Sequence, residues 1–210
     1  MALIFQPENA NEHGLVAIGG DLRPSTVLHA YRNGIFPWYS EGEPILWWSP
    51  DPRAIFELDR FYISRRLERT IRSEKFRVTV NRAFADVMLG CADREQTWIT
   101  ADMIDAYVRL HRLGFAHSVE AWHESELVGG VYGVAIGGLF AGESMFHRAT
   151  DASKVCLAYL MEYLKLRGYV LFDTQVITEH TASLGATNIP RAEYLLRLKE
   201  ALQKQTTFID

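Results

Sequence analysis

The stretch from Ser118 to Phe146 constrains the fold more than any other part of the chain. Three apolar or alternating runs, Ser118–His123, Leu127–Ile136 and Leu139–Phe146, are separated by Glu124-Ser125 and by Gly137-Gly138. Links this short join antiparallel neighbours directly, so the segment predicts a three-strand meander. Its longest uncharged portion, Leu127 to Gly142, contains six glycines, which argue for bent strands rather than a membrane span.

A helix is expected next, from about Ala152 to Arg167. It is apolar over much of its circumference and closes at Gly168, before a strand over Tyr169–Thr174. Pro190 opens another helix, roughly Arg191 to Leu202. Upstream, Pro24 and Gly34 delimit a short helix, Phe76–Val80 alternates like a strand, and Ala83–Gly90 and Met103–Leu113 are helical. Three of the five tryptophans and four of the seven prolines lie between Ile35 and Arg53. Proline excludes a long helix there, leaving two short extended pieces around a Glu41-Gly42-Glu43-Pro44 turn. The expected class is α+β: a small N-terminal α/β module over residues 1–60, then a domain over 61–210 with a mostly antiparallel sheet flanked by helices.

Composition narrows the function. The 210 residues are 48% hydrophobic, enough to fill a core without cross-links. Cys91 and Cys156 lie far apart with no CxxC spacing, which disfavours a disulfide framework or zinc knuckle and fits a reducing cytoplasm. Met1–Gln6 lacks a basic stretch followed by an apolar one, so no secretory signal is expected. The net charge of -4 speaks against a general nucleic-acid coat, yet between Arg60 and Arg77 seven basic residues face two acidic ones. There Arg65, Arg69 and Arg72 share one helical face, while Leu67 and Ile71 lie on another. Arginines track phosphates and exposed aromatics stack unpaired bases, so a nucleic-acid end is a candidate partner.

Several motifs reduce to ordinary structure. Gly14 and Gly19 have phosphate-loop spacing, but Gly20-Asp21 stands where Lys-Ser/Thr is needed, so the glycines read as a turn before the first helix. His111, His117 and His123 recur six apart, a spacing that suits no common zinc geometry. Ser144, Asp173 and His180 follow the chain order of an α/β-hydrolase triad, but Gly142-Glu143-Ser144-Met145-Phe146 lacks the second glycine of a nucleophile elbow. More telling are two acidic strand ends. Alternation puts the side chains of Asp173 and Gln175 on one face with Thr174 away, and Glu143 is expected at the end of a neighbouring strand.

The meander, helix and strand resemble the core of the GNAT acyltransferases. The His147–Ala152 link has no glycine where an acyl-coenzyme A pyrophosphate would be cradled, which speaks against coenzyme A as the donor; a coenzyme A-dependent N-acyltransferase and the serine hydrolase are kept as alternatives. Five blocks in order, Gly14–Leu22, Gly34–Trp38, Trp47–Arg53, Gly142–Phe146 and His180–Ala186, resemble the leucyl/phenylalanyl-tRNA-protein transferases from about Gly14 to Tyr194. The resemblance implies a GNAT-like C-terminal domain without metal or coenzyme. It also implies transfer of Leu, Phe or Met from aminoacyl-tRNA to the α-amine of proteins that begin with Arg or Lys, marking them for degradation. It assigns the chemistry to Asp173 and Gln175, with Asp173 favouring the amine electrostatically and Gln175 orienting it. Glu143 would meet the acceptor's cation. Phe140, Gly142, Met145 and Leu157 would line the donor side-chain pocket, with Trp48 at the terminal adenosine and Val131, Leu160 and Phe172 reshaping it. Arg65, Arg66, Arg69 and Arg72 would bind tRNA.

Overall fold

The computed structural model describes residues 5–209. Near the N-terminus, β1 (Leu15–Ile18), β3 (Leu46–Trp48) and β2 (Phe36–Pro37) form a small antiparallel sheet in that order. Gly14 and Gly19 both have left-handed torsions, but they bracket β1 rather than form a single turn. Helix α1 (Pro24–Arg32) connects β1 to β2 and buries Val27, Leu28, Ala30 and Tyr31. Pro24 starts it, where a missing N–H costs nothing, and Gly34 just beyond it takes a positive φ.

The main sheet has seven strands among the described residues. In chain order they are β4 (Arg53–Phe56), β5 (Arg77–Val80), β6 (Ala116–His123), β7 (Glu126–Ile136), β8 (Leu139–His147), β9 (Leu171–Gln175) and β10 (Thr187–Ile189). Strands β5 to β8 form an antiparallel run that includes the expected meander. Strand β9 then pairs parallel to β8, which requires a crossover. Helix α5 (Ala152–Leu166) supplies it, and its approach to β7 needs Gly129, where a Cβ would lie 2.6 Å from that of Ala152.

Strand β4 lies antiparallel between β10 and β9. The expected module boundary near residue 60 therefore falls after a strand of the large sheet, and the chain leaves the small sheet between Trp48 and Arg53. All four residues of β4 are buried, as suits a strand covered on both faces.

One face of the large sheet packs on α1, α3 (Phe84–Ala92) and α4 (Ala101–Arg112), which bury Val87, Met88, Met103 and Tyr107. The other packs on α5 and on α2 (Arg65–Arg72) through Leu67. Near β10, the short α6 (Glu179–Ser183) precedes it and α7 (Arg191–Ala201) follows, with Tyr194 and Leu198 against Ile55 and Leu171. The three histidines go separate ways: His111 stacks on Phe84, His117 on Phe208, and His123 meets the Phe76 edge. No helix among the described residues is long and apolar enough to cross a membrane.

Candidate active site

The parallel pairing of β8 with β9 ends at Ala141 and Asp173, while β8 runs on to His147. Where the pairing stops, a cavity of about 620 Å³ opens between the strand ends, the N-terminal end of α5 and the small sheet. Two local irregularities aim polar groups into it.

The first is a bulge in β8. Register shifts between Tyr132 and Gly133, so Ser144 faces Tyr132, Gly142 faces Gly133, and Glu143 is the extra residue. Gly133 is required there, because a Cβ would collide with the carbonyl oxygen of Ala141. Glu143 is thus a mid-strand bulge, not the end of its strand as expected. Its Oε1 accepts from the Tyr31 hydroxyl at 2.6 Å and from Gln175 Nε2 at 2.7 Å, and its Oε2 accepts from Tyr107 at 3.2 Å. Tyr31 and Tyr107 also touch, oxygen to oxygen, at 2.5 Å. Burial, with a smaller push from the charge of Asp173, raises the Glu143 carboxyl to about 7 against the hydrogen bonds it accepts.

The second irregularity ends β9. Gln175 has φ 65°, an uncommon left-handed torsion for a residue with a side chain, and the β4–β9 register shifts beside it. Asp173 Oδ1 accepts the Gln175 backbone N–H at 2.8 Å, fixing this turn two residues on. The expectation that Asp173 and Gln175 share a face is therefore corrected. Gln175 turns toward Glu143 and the cavity. Asp173 is fully buried and binds Arg53 through both oxygens, at 2.8 and 2.6 Å, with Tyr194 donating at 2.8 Å. Burial opposes the Arg53 charge most strongly, but Asp173 together with Tyr194 and Tyr31 outweighs it and holds the guanidinium above its usual range. Asp173 does not line the cavity; its carboxylate holds the Gln175 backbone N–H instead.

The cavity floor is apolar, made by Phe56, Val131, Met145, Leu157 and Phe172, with Gly142 behind the Phe172 ring. Phe140 is not in this wall; it is buried beneath it, edge-on to Phe172 at 5.2 Å, and Leu160 is likewise core. Trp48 lies outside as well, its indole N–H donated to the Trp38 carbonyl. Trp38 and Trp98 stand on the wall instead. A sequence pattern that locates three neighbouring tryptophans does not say which ring turns outward. Arg53, Tyr31, Tyr107 and Tyr194 were also missed, since each looks like ordinary core or loop in its own segment.

The triad of Ser144, Asp173 and His180 does not assemble. Asp173 is held by Arg53 and Tyr194, while the Ser144 hydroxyl accepts from Arg94 at 2.8 Å. Arg65, Arg66, Arg69 and Arg72 are exposed on α2, away from the cavity wall. Arg66 reaches Asp151 and Arg72 reaches Glu68, while Arg65 and Arg69 have no acidic partner among the described residues.

Similarity to known proteins covers nearly the whole arrangement. A family model described as leucyl/phenylalanyl-tRNA protein transferase matches residues 55–199, and one for the N-terminal domain of that family matches 20–51. A leucyl/phenylalanyl-tRNA–protein transferase of Pseudoalteromonas atlantica is 56% identical over 194 residues, 90% of this chain and 83% of that one. Its counterpart in an Enterobacter species is 55% identical over 203 residues, 95% of this chain and 87% of the other. Among solved structures, a GCN5-related N-acetyltransferase from Kribbella flavida aligns with TM-score 0.43 and 10% identity, over 79% of this chain and 60% of that one. With both family models matched and relatives above half identity along most of its length, the chain belongs to the leucyl/phenylalanyl-tRNA–protein transferase family.

Proposed function

We infer that this protein moves Leu, Phe or Met from aminoacyl-tRNA to the α-amine of proteins beginning with Arg or Lys, marking them for degradation. The contact that carries this reading is the one between Gln175 and Glu143. With its Nε2 spent on Glu143, Gln175 presents Oε1 to the cavity, where it accepts an N–H of the incoming amine. An amide is far too weak a base to remove the proton.

Glu143 suits that task. An α-ammonium must lose one proton before its nitrogen attacks the ester carbonyl, and a carboxylate raised to about 7 is partly ionised and well matched near neutral pH. The nitrogen forms the new amide bond, and the ribose oxygen leaves with a proton as a hydroxyl. Because the aminoacyl ester is already activated, holding the amine at attacking distance supplies much of the remaining rate. Asp173, clamped by Arg53, positions Gln175. The apolar floor receives the donor side chain, and rejection of Ile and Val follows from crowding at Cβ, since a methylene alone discriminates by only ~1–3 kcal/mol. The arginines of α2 track the tRNA backbone.

The test mixes the protein with Leu-tRNA and a peptide beginning with Arg, and seeks a Leu-Arg product by mass spectrometry. Absence of product, or equal yield from the N-acetylated peptide, defeats the reading.

A further inference from the structure

Six ionisable side chains line the cavity: Asp93, Arg94, Glu143, His147, Arg148 and His180. Both carboxylates are engaged. Asp93 pairs with Arg148 at 3.6 Å, and Glu143 is held by Tyr31, Tyr107 and Gln175. Arg94 is left without a carboxylate partner among the described residues. Its neighbour Cys91, pushed up to about 12 by burial, offers no compensating charge. Arg94 is exposed, yet its direction is set. One amino group donates to the Ser144 hydroxyl at 2.8 Å and to the Met145 carbonyl at 2.9 Å, the two residues that follow Glu143 in β8. The guanidinium is thereby fixed relative to the group that handles the amine, with its remaining donors available.

A fixed, uncompensated cation beside a reaction centre repels a cationic acceptor and calls for an anion. On the transferase reading, which this inference extends, the anion nearest the reacting ester is the phosphodiester on the 5′ side of the terminal nucleoside. We propose that Arg94 grips that phosphodiester and so sets the distance between the donor's ester and the Glu143–Gln175 pair. The fork geometry of a guanidinium suits two phosphate oxygens at once. Helix α2 engages the body of the tRNA, whereas Arg94 registers its last nucleotide.

The experiment measures kcat/KM for wild type, Arg94→Gln and Arg94→Lys with three donors: leucyl-adenosine, which has the ester but no phosphate; the leucyl ester of cytidylyl-adenosine, which has one phosphodiester; and Leu-tRNA. Loss of a charge-assisted contact predicts that Arg94→Gln falls about tenfold further on the two phosphate-bearing donors than on leucyl-adenosine. Arg94→Lys should recover part of that difference. Equal loss on all three donors would mean that Arg94 only braces β8, and loss confined to intact tRNA would move its contact away from the terminal phosphodiester. Either result overturns the proposal. Wild-type inactivity toward every donor is a separate outcome, which overturns the transferase reading and this inference with it.

Discussion

Replacing Glu143 by Gln should make the protein more stable at alkaline pH while costing it activity. In the folded state the Glu143 carboxyl is raised to about 7 from an ordinary 4.5. Between those values the native chain holds a proton that the unfolded chain has lost, so stability falls as pH rises, by about 1.4 kcal/mol per unit from this group. The contribution is fully present below 4.5 and gone above 7, a total of about 3 kcal/mol. Glutamine keeps the shape and an acceptor oxygen but never ionises. Urea unfolding of wild type and Glu143→Gln at pH 5, 6, 7 and 8 isolates the term, because other titrating groups cancel in the difference. The stability of the variant relative to wild type should climb by about 2.5 kcal/mol across that range, the remainder having been lost below pH 5. A difference that stays flat with pH would refute the argument, since the carboxylate would then ionise in the fold as freely as in the unfolded chain.

Tyr31→Phe removes a hydrogen bond that lowers the Glu143 carboxyl, so the acid limb of the kcat/KM profile should move to higher pH; a stationary limb would take Glu143 out of proton handling. Arg53→Met strands the buried charge of Asp173 and should cost about 3–5 kcal/mol in urea unfolding, whereas a loss under about 1 kcal/mol would mean the pair is dispensable. Gly142→Ala places a Cβ 2.7 Å from the Phe172 ring. The ring must tilt into the cavity floor, so kcat/KM with Phe-tRNA should fall roughly tenfold more than with Leu-tRNA, and parallel losses would disconnect that floor from donor choice. Arg65→Gln with Arg69→Gln should weaken tRNA binding and make its salt dependence shallower by about 1.5 in the log–log slope; an unchanged slope returns α2 to a solvated surface.

The parts of the fold that were legible in the sequence are those whose partners are close in the chain. The hairpin links at Glu124-Ser125 and Gly137-Gly138 fix β6, β7 and β8, and the apolar run closed by Gly168 fixes α5. What escaped depended on distant residues or on broken periodicity. Arg53 follows Asp51-Pro52, which looks like a surface turn, and its carboxylate partner is 120 residues away. Alternation also misplaced the site residues, because it assumes every residue of a strand advances the pleat. The bulge at Glu143 and the left-handed torsion at Gln175 each break that count, and those breaks bring the two side chains together. Phe140 was assigned to the pocket through the family resemblance, and its ring packs under the floor instead.

The insertion of β4 between β10 and β9 also has a consequence for synthesis. An emerging chain makes Arg53 early, but its place in the sheet exists only after Thr187–Ile189 and Leu171–Gln175 have followed it. Pairing across such separations is slow and comes late. Until then the guanidinium lacks Asp173, and the turn that aims Gln175 has no anchor. A truncated or stalled product therefore lacks a finished site, and chemistry begins only once the C-terminal strands have locked an N-terminal one into the middle of the sheet.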